Sequence, residues 1–163
     1  MKKLLKRGLR KFGYELNQLS VIDGKVDPDR GWETDIEFQK VCRKARSHTL
    51  LVQRRGHILY QLAKRSINAR GALAEVGVYR GGGALIAASV MAPDRTLYLF
   101  DTFDGMPTCD EKRDLHAAGD FSDTDLNLVR DLFAEHGDRV EIRQGLFPSS
   151  AFGLENERFS FVP

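Results

Sequence analysis

The chain has 163 residues, of which 42% are hydrophobic and 29% are charged, and its formal net charge is +2. This length and composition predict one ordinary globular domain with a core of its own, and they exclude a fibrous or disordered chain. The small net charge does not indicate a nucleic-acid partner, and no apolar run is long enough to predict a transmembrane segment.

Residues 1–18 are predicted to form a basic amphipathic helix. Six lysines and arginines in this segment are accompanied by one acid, Glu15, and its apolar residues can share one helical face. Two interpretations remain open. Residues 1–16 either make weak contact with an anionic membrane surface or acidic partner, or form a solvated helix without one.

Residues 20–34 are predicted to be a linker, because the pairs Asp23-Gly24 and Asp27-Pro28 interrupt regular structure. We therefore divide the chain into an N-terminal helix and linker, residues 1–34, and one folded domain, residues 35–163.

Within that domain, helices and strands are predicted to alternate after two opening helices. The predicted helices span 35–47, 49–68, 82–92 and 123–136, and the predicted strands span 72–79, 96–101, 140–143 and 159–162. Ser122 is the expected N-cap of the fourth helix, with Asp125 completing the capping pattern and Gly137 ending the helix. Strands joined by helices indicate an α/β fold, with a parallel sheet of about four strands and helices on both faces.

The first strand leads into the most informative motif of the chain, Glu75-x-Gly77-x-x-x-Gly81-Gly82. A strand that ends at glycines and opens a helix brings backbone N–H groups close to a ligand. The spacing differs from the G-x-G-x-x-G of dinucleotide folds, and it suits an S-adenosylmethionine (SAM) pocket better. Glu75 is a candidate for holding the amino group of the cofactor, with capping of local backbone amides as the alternative. For the glycines, the alternative is an ordinary tight turn.

Two further positions follow the next strands. Asp101 ends the second strand, where an acid typically accepts hydrogen bonds from ribose hydroxyls; the alternative is a turn-starting aspartate. Thr102 and Phe103 lie beside it. Gly145 and Leu146 follow the third strand and are candidates for flanking adenine, although a plain strand-to-helix turn explains them equally well.

Other reactive residue types give no site. The cysteines, Cys42 and Cys109, are far apart and are predicted to be unpaired thiols in a reducing cytoplasm. The four histidines have no metal-type spacing. The polar run 108–120 is predicted to be a mobile loop or lid, and its carboxylates match no EF-hand.

Three runs resemble the macrocin O-methyltransferase family (TylF/MycF type): Ala74-Glu-Val-Gly-Val-Tyr-Arg-Gly-Gly82, Leu99-Phe-Asp-Thr-Phe-Asp-Gly-Met-Pro107 and Ala118-Gly-Asp-Phe-Ser-Asp-Thr124. The resemblance covers roughly residue 45 onward. It implies a Rossmann-like class I methyltransferase fold that transfers a methyl group from SAM to a hydroxyl, often on a sugar. It also implies that Glu75, Gly77 and Gly81 line the methionine end of SAM. Asp101 is implied to hold the ribose, with Thr102 and Phe103 beside it, and Gly145 and Leu146 to border the adenine. Gly82 is a further cofactor-binding candidate, because it allows close backbone approach.

The resemblance also implies a magnesium site that this sequence does not reach. The family continues from its fourth strand into an acidic motif that helps to bind magnesium, and the present sequence stops at Pro163, where that motif is expected. We therefore expect a truncated chain without the metal ligands and the catalytic base, and we predict no metal site and no catalytic residue.

Three functions compete. The first is a SAM-dependent O-methyltransferase that acts on a sugar or another natural-product hydroxyl. The second is a non-catalytic remnant that binds cofactor or self-associates through an uncovered sheet edge, and a homo-oligomer is compatible with either. The third, a nicotinamide-dependent Rossmann enzyme, has the wrong glycine spacing and lacks a catalytic Tyr or Lys motif.

Overall fold

The computed structural model of the protein describes residues 21–22, 25–26, 28–107 and 115–163. The chain divides into two compact units, Met1–Asp35 and Ile36–Pro163. The predicted helix 1–18, with its proposed membrane contact through residues 1–16, lies outside the described residues, as does Cys109.

The first unit contains more regular structure than the linker predicted at 20–34. Strands β1 (Val21–Ile22) and β2 (Lys25–Val26) pair antiparallel, and a 3-10 helix spans Pro28–Glu33. Within that helix, Arg30 forms an ion pair with Glu33, and its guanidinium lies over the Trp32 ring.

The second unit is an α/β fold with a four-stranded parallel sheet, which confirms the predicted fold class. Its helices are α1 (Ile36–Ala45), α2 (Gln53–Arg65), α3 (Gly82–Ala88) and α4 (Leu126–Leu132). Its strands are β3 (Ala72–Val76), β4 (Leu97–Asp101), β5 (Val140–Gln144) and β6 (Phe159–Phe161), in the spatial order β5-β4-β3-β6. None of the helices in the described part of the chain has the length and apolar character needed to cross a membrane.

Every predicted helix and strand of this unit exists, but several are shorter than predicted. The strand predicted at 72–79 ends at Val76, because the chain turns at Gly77, which has a φ of 85°. Helix 49–68 begins only at Gln53, and its last turn is a separate 3-10 helix, Ser66–Asn68. Helix 82–92 ends at Ala88.

The helix predicted at 123–136 is the largest difference. It spans only Leu126–Leu132, and a 3-10 segment, Ala134–Arg139, follows it. Its N-cap is Asp125, whose side chain accepts a hydrogen bond of 2.8 Å from the Asn127 N–H; the prediction of Ser122 was wrong. Asp125 occupies the position because a capping carboxylate accepts the N–H two residues ahead of it.

The core lies on one side of the sheet, which we call the inner face: Leu73, Glu75, Leu97 and Leu99. These residues share a face because side chains alternate along a strand and because Leu73 pairs with Leu97, and Glu75 with Leu99. Helix α3 packs here, and α1 and α2 pack against α3. Phe38, Ile86, Leu97 and Leu99 are almost completely buried in this layer.

The opposite side, the outer face, consists of Ala72, Ala74, Tyr98 and Phe100. The hydrophobic residues packed against this cluster are Ala151 and Leu154, in and just after the 3-10 helix Ser149–Ala151. Helices cover the inner face, as predicted. On the outer face, the described residues that pack against the cluster belong to a short 3-10 helix and the residues after it.

Candidate functional site

A cavity of about 530 Å³ opens where β3, β4 and β5 end, at the carboxyl edge of the sheet. This is where open parallel sheets bind ligands, because the loops after the strands diverge there. Its walls are mainly apolar: Leu50, Val76, Gly77, Tyr79, Phe100, Asp101, Thr102, Gly105, Met106, Pro107, Phe121, Thr124, Gly145, Leu146 and Phe147. A volume of this size suits one small molecule or cofactor.

The glycine motif forms the turn between β3 and α3. Gly81 is the N-cap of α3 with a φ of 86°, a conformation that favours glycine, and a Cβ atom there would lie 3.0 Å from the Leu132 side chain. At Gly82, a Cβ atom would lie 2.6 Å from the His48 carbonyl group. The glycines therefore let α3 begin directly against neighbouring segments, and only Gly77 of this motif lines the cavity.

Glu75 points away from the cavity, toward the first turn of α3. Its Oε1 would lie 2.5 Å from a Cβ atom at Gly83, and the Ala84 N–H donates a hydrogen bond to its carboxyl group. Its Oε2 is buried without a hydrogen-bond partner. The residue as a whole is half-buried, but the carboxyl group is fully enclosed, and this burial, together with the nearby Asp101 charge, raises the pKa of Glu75 to about 8.

Asp101 lines the cavity and organises two turns at once. Its Oδ2 accepts a hydrogen bond from the Tyr79 N–H, and its Oδ1 accepts one from the Phe103 N–H, both at 2.8 Å. The carboxylate therefore ties the glycine turn to the loop after β4. Each oxygen keeps a second lone pair for a further donor, so this structural role and ribose binding are compatible.

The segment after β5 forms another part of the cavity wall. The Gly145 N–H donates to the Asp101 carbonyl oxygen at 2.9 Å, and the Gln144 side chain donates to the Thr102 carbonyl oxygen at 3.3 Å. Leu146 and Phe147 continue this wall with exposed apolar side chains. The predicted adenine-flanking residues thus lie beside the predicted ribose-binding loop.

A second loop contributes Phe121 and Thr124 to the cavity wall, and its contacts with the glycine turn were not predicted from the sequence. Asp123 accepts hydrogen bonds from the Tyr79 hydroxyl at 2.8 Å and from the Arg80 guanidinium at 2.6 Å. Thr124 donates to the Tyr79 carbonyl oxygen, and the Phe121 and Tyr79 rings meet edge to face. We call these contacts the clasp. Tyr79 and Arg80 lie more than 40 residues from Asp123 in the sequence. Beyond the motif 118–124, no local pattern therefore indicates that these residues meet.

The predicted site residues fall into two groups. Gly77, Asp101, Thr102, Gly145 and Leu146 line the cavity. Glu75, Gly81, Gly82 and Phe103 lie behind its walls, where Phe103 is almost fully buried beside Asp101.

The polar side chains that line the cavity are those of Tyr79, Asp101, Thr102 and Thr124. Asp101 keeps free lone pairs for a further donor, whereas the Oε2 of Glu75, which has no hydrogen-bond partner, lies behind the wall. Thr102 donates to the Gly105 carbonyl oxygen, and Thr124 is engaged in the clasp. Within residues 28–107 and 115–163, no group of three or more His, Cys, Asp or Glu side chains is arranged to hold a metal ion.

Comparison with known proteins places the chain in a family. The Macrocin-O-methyltransferase (TylF) family profile matches residues 31–162. The O-methyltransferase NovP is similar in structure, with a TM-score of 0.52 and 26% identity over 60% of this chain and 47% of NovP. A methyltransferase from Geobacter sulfurreducens matches with a TM-score of 0.40 and 17% identity, over 86% of this chain and 55% of that one.

The chain thus spans about half the length of these solved structures. No curated protein sequence matches it at significant similarity. Because the family profile covers four fifths of the chain, the chain belongs to the macrocin O-methyltransferase (TylF) family, and the similarity of its fold to NovP agrees with this.

Proposed function

We propose that the protein is part of a SAM-dependent O-methyltransferase whose acceptor is a hydroxyl group of a sugar or another natural product. One observation carries the proposal: Asp101 and the Gly77 turn border a cavity of cofactor size at the carboxyl edge of the sheet in a chain of this family. The methyltransferase name of the family and of NovP supports the reaction class.

In this proposal, each wall of the cavity has one task. Asp101 accepts the two ribose hydroxyls through its free lone pairs, and Gly77 lets the amino-acid end approach the backbone. Gly145 and Leu146 border the adenine. Glu75 lies behind the glycine turn and does not line the cavity.

SAM supplies an electrophilic methyl group on a positively charged sulfur. The protein's contribution is to hold donor and acceptor in line and to exclude water, which can supply much of the barrier reduction. The apolar side chains of Met106, Phe121 and Leu50 suit the water-excluding part of this task.

A general base must also take the acceptor proton. We assign this role to no residue of the cavity wall, because the Tyr79 hydroxyl and the two threonine hydroxyls already donate to other groups. Magnesium, which the family resemblance suggests, is likewise assigned no ligand among the described residues.

The test is a calorimetric titration with S-adenosylhomocysteine (SAH), with and without magnesium. We expect micromolar binding by the wild type and a loss of about 10- to 100-fold for Asp101→Asn, because a hydrogen bond to a charged acceptor is lost. Asp104→Asn is the matched control, since Asp104 is exposed on the same loop and does not line the cavity.

Asp101→Asn also weakens the hydrogen bonds that Asp101 accepts from the Tyr79 and Phe103 N–H groups. A second ligand must therefore show whether the lost affinity comes from the ribose hydroxyls. With a 2′,3′-dideoxy analogue of SAH, the difference between wild type and Asp101→Asn should vanish. An equal loss for both ligands would assign Asp101 a purely structural role. Absence of SAH binding by the folded wild type would refute the cofactor site itself and favour a non-catalytic remnant.

A further inference from the structure

Two aromatic residues of the cavity wall have a backbone conformation that favours glycine. The φ angles of Tyr79 and Phe121 are 54° and 62°, and both residues line the cavity. In the described part of the chain, the one other non-glycine residue with positive φ is Phe103, directly beside Asp101. Such residues are strained, and strain of this kind persists only where the surrounding structure fixes it, typically at ligand-binding sites.

Hydrogen bonds on both sides fix the backbone of Tyr79. Its N–H donates to Asp101 Oδ2 at 2.8 Å, and its carbonyl oxygen accepts the Thr124 hydroxyl. Its own hydroxyl donates to Asp123 at 2.8 Å, and the Arg80 guanidinium lies 5.2 Å from the ring centroid. Because the hydroxyl hydrogen is engaged, Tyr79 offers a ligand in the cavity mainly the carbon surface of its ring.

Phe121 is fixed by the loop after β4 and by two neighbouring rings. The Met106 N–H donates to the carbonyl oxygen of Asp120, the residue directly before Phe121, at 2.8 Å. The Phe121 ring meets the Tyr79 ring edge to face with 6.1 Å between centroids, and the His116 ring with 4.7 Å. Phe121 is therefore held in position although it is only half-buried.

The path of the chain does not by itself explain this strain. Glycine adopts positive φ without strain, and the backbone hydrogen bonds at position 79 would remain with it. Gly105 and Gly119, on the two segments that meet beside Phe121, do adopt positive φ. Core packing does not explain the aromatic side chains either, because Tyr79 and Phe121 are both only half-buried. The remaining role for these two rings is contact with a ligand.

We infer that Tyr79 and Phe121 form an aromatic corner that binds a ring of the methyl acceptor and so selects which hydroxyl reaches the cofactor. This inference rests on the proposed function. In that proposal the cofactor's ribose needs hydrogen-bond partners, which Asp101 supplies, whereas the corner offers carbon surface. Aromatic side chains bind another ring by offset stacking or edge-to-face contact. The acceptor that fits therefore carries its hydroxyl on or beside a ring with an apolar face, either an aromatic ring or a sugar ring.

The experiment is an NMR titration of the full chain, saturated with SAH, with phenyl β-D-glucopyranoside and with methyl β-D-glucopyranoside. We expect Phe121→Gly to weaken binding of the phenyl glucoside by about 3- to 10-fold and to leave the SAH affinity unchanged. An equal loss for both glucosides would assign the corner to a sugar ring, and a loss for the phenyl glucoside alone to an aromatic ring. Phe152→Ser is the control, since Phe152 is exposed and does not line this cavity.

Urea unfolding separates ligand binding from packing. Phe121→Gly relieves the strain, whereas Phe121→Leu removes the ring and keeps the strained φ. We therefore expect the urea midpoint of Phe121→Gly to stay close to that of the wild type and at or above that of Phe121→Leu. A midpoint as low as that of Leu99→Ala, a fully buried core position, would make Phe121 a packing residue and overturn the inference.

Three binding results would also overturn it. Unchanged binding of the phenyl glucoside by Phe121→Gly would remove the ring from the acceptor site. An SAH loss equal to the glucoside loss would assign the corner to the cofactor instead. Wild type that binds SAH but neither glucoside would leave the proposed function standing without this corner. Failure of the folded wild type to bind SAH would refute the proposed function, and the inference with it.

Discussion

The two faces of the sheet are built differently. The inner face packs Leu97 and Leu99 under α3, and small residues let that helix begin close to the strands. The outer face presents Tyr98 and Phe100, and its covering leaves a cavity of about 720 Å³. The close packing therefore lies on the side of the sheet that holds the glycine turn, where α3 begins.

The largest expected effect comes from a cavity in the inner face. Leu99 is 0% exposed, and Leu99→Ala should lower the free energy of unfolding by about 2–5 kcal/mol. Phe159, which is 39% exposed on the outer side, packs edge to face on Tyr98, and Phe159→Ala should cost about 1 kcal/mol. Urea unfolding measures both, and equal losses would abolish the distinction between the faces.

The second prediction concerns Glu75, whose carboxyl group is buried on the inner face. Its folded-state pKa of about 8 lies well above the ordinary pKa of 4.5 for a glutamate, so the folded protein binds an extra proton between these values and loses stability as the pH rises through this window. Glu75→Gln should match the wild type near pH 4.5 and exceed it by roughly 2–4 kcal/mol at pH 8.5.

Urea unfolding at three pH values tests this. A wild-type stability that rises between pH 5 and 8.5 relative to Glu75→Gln would contradict the assignment of a buried, neutral carboxyl group. Glu135→Gln, at an exposed position in the 3-10 segment after α4, serves as the control and should not change the pH dependence.

The sequence predicts local features of the fold but not contacts between distant segments. The alternation of strands and helices and the position of Asp101 at a strand end are local patterns, and they were predicted correctly. The direction of Glu75 was not predictable, because it depends on the pairing of β3 with β4 and on where α3 packs. The clasp was missed because Arg80 and Asp123 meet only in the folded chain.

The clasp has a smaller expected effect, because the Arg80–Asp123 ion pair is partly exposed. A double-mutant cycle with Arg80→Ala and Asp123→Ala should give a coupling free energy of about 0.5–1 kcal/mol. A coupling that persists undiminished in 1 M salt would argue against a screened surface pair. Tyr79→Phe measures the separate contribution of the tyrosine hydroxyl.

The smallest effect is expected at Phe152, which is 84% exposed beside the outer cavity. Phe152→Ser should change the free energy of unfolding by less than about 0.5 kcal/mol, while lowering the binding of a hydrophobic dye such as ANS. A large loss of stability would mean that the outer face is as closely packed as the inner one.

The position of β6 beside β3 has a consequence for how the chain folds. The Ser160 hydroxyl bonds to the carbonyl oxygens of Gly71 and Ala72, which lie 89 and 88 residues earlier. Neighbours as close in sequence as β3 and β4 meet at a small entropic cost, whereas a loop of this length closes late. We therefore expect β6 to join β3 after β4 does, and until then this edge of β3 is open to pairing with a strand of another molecule.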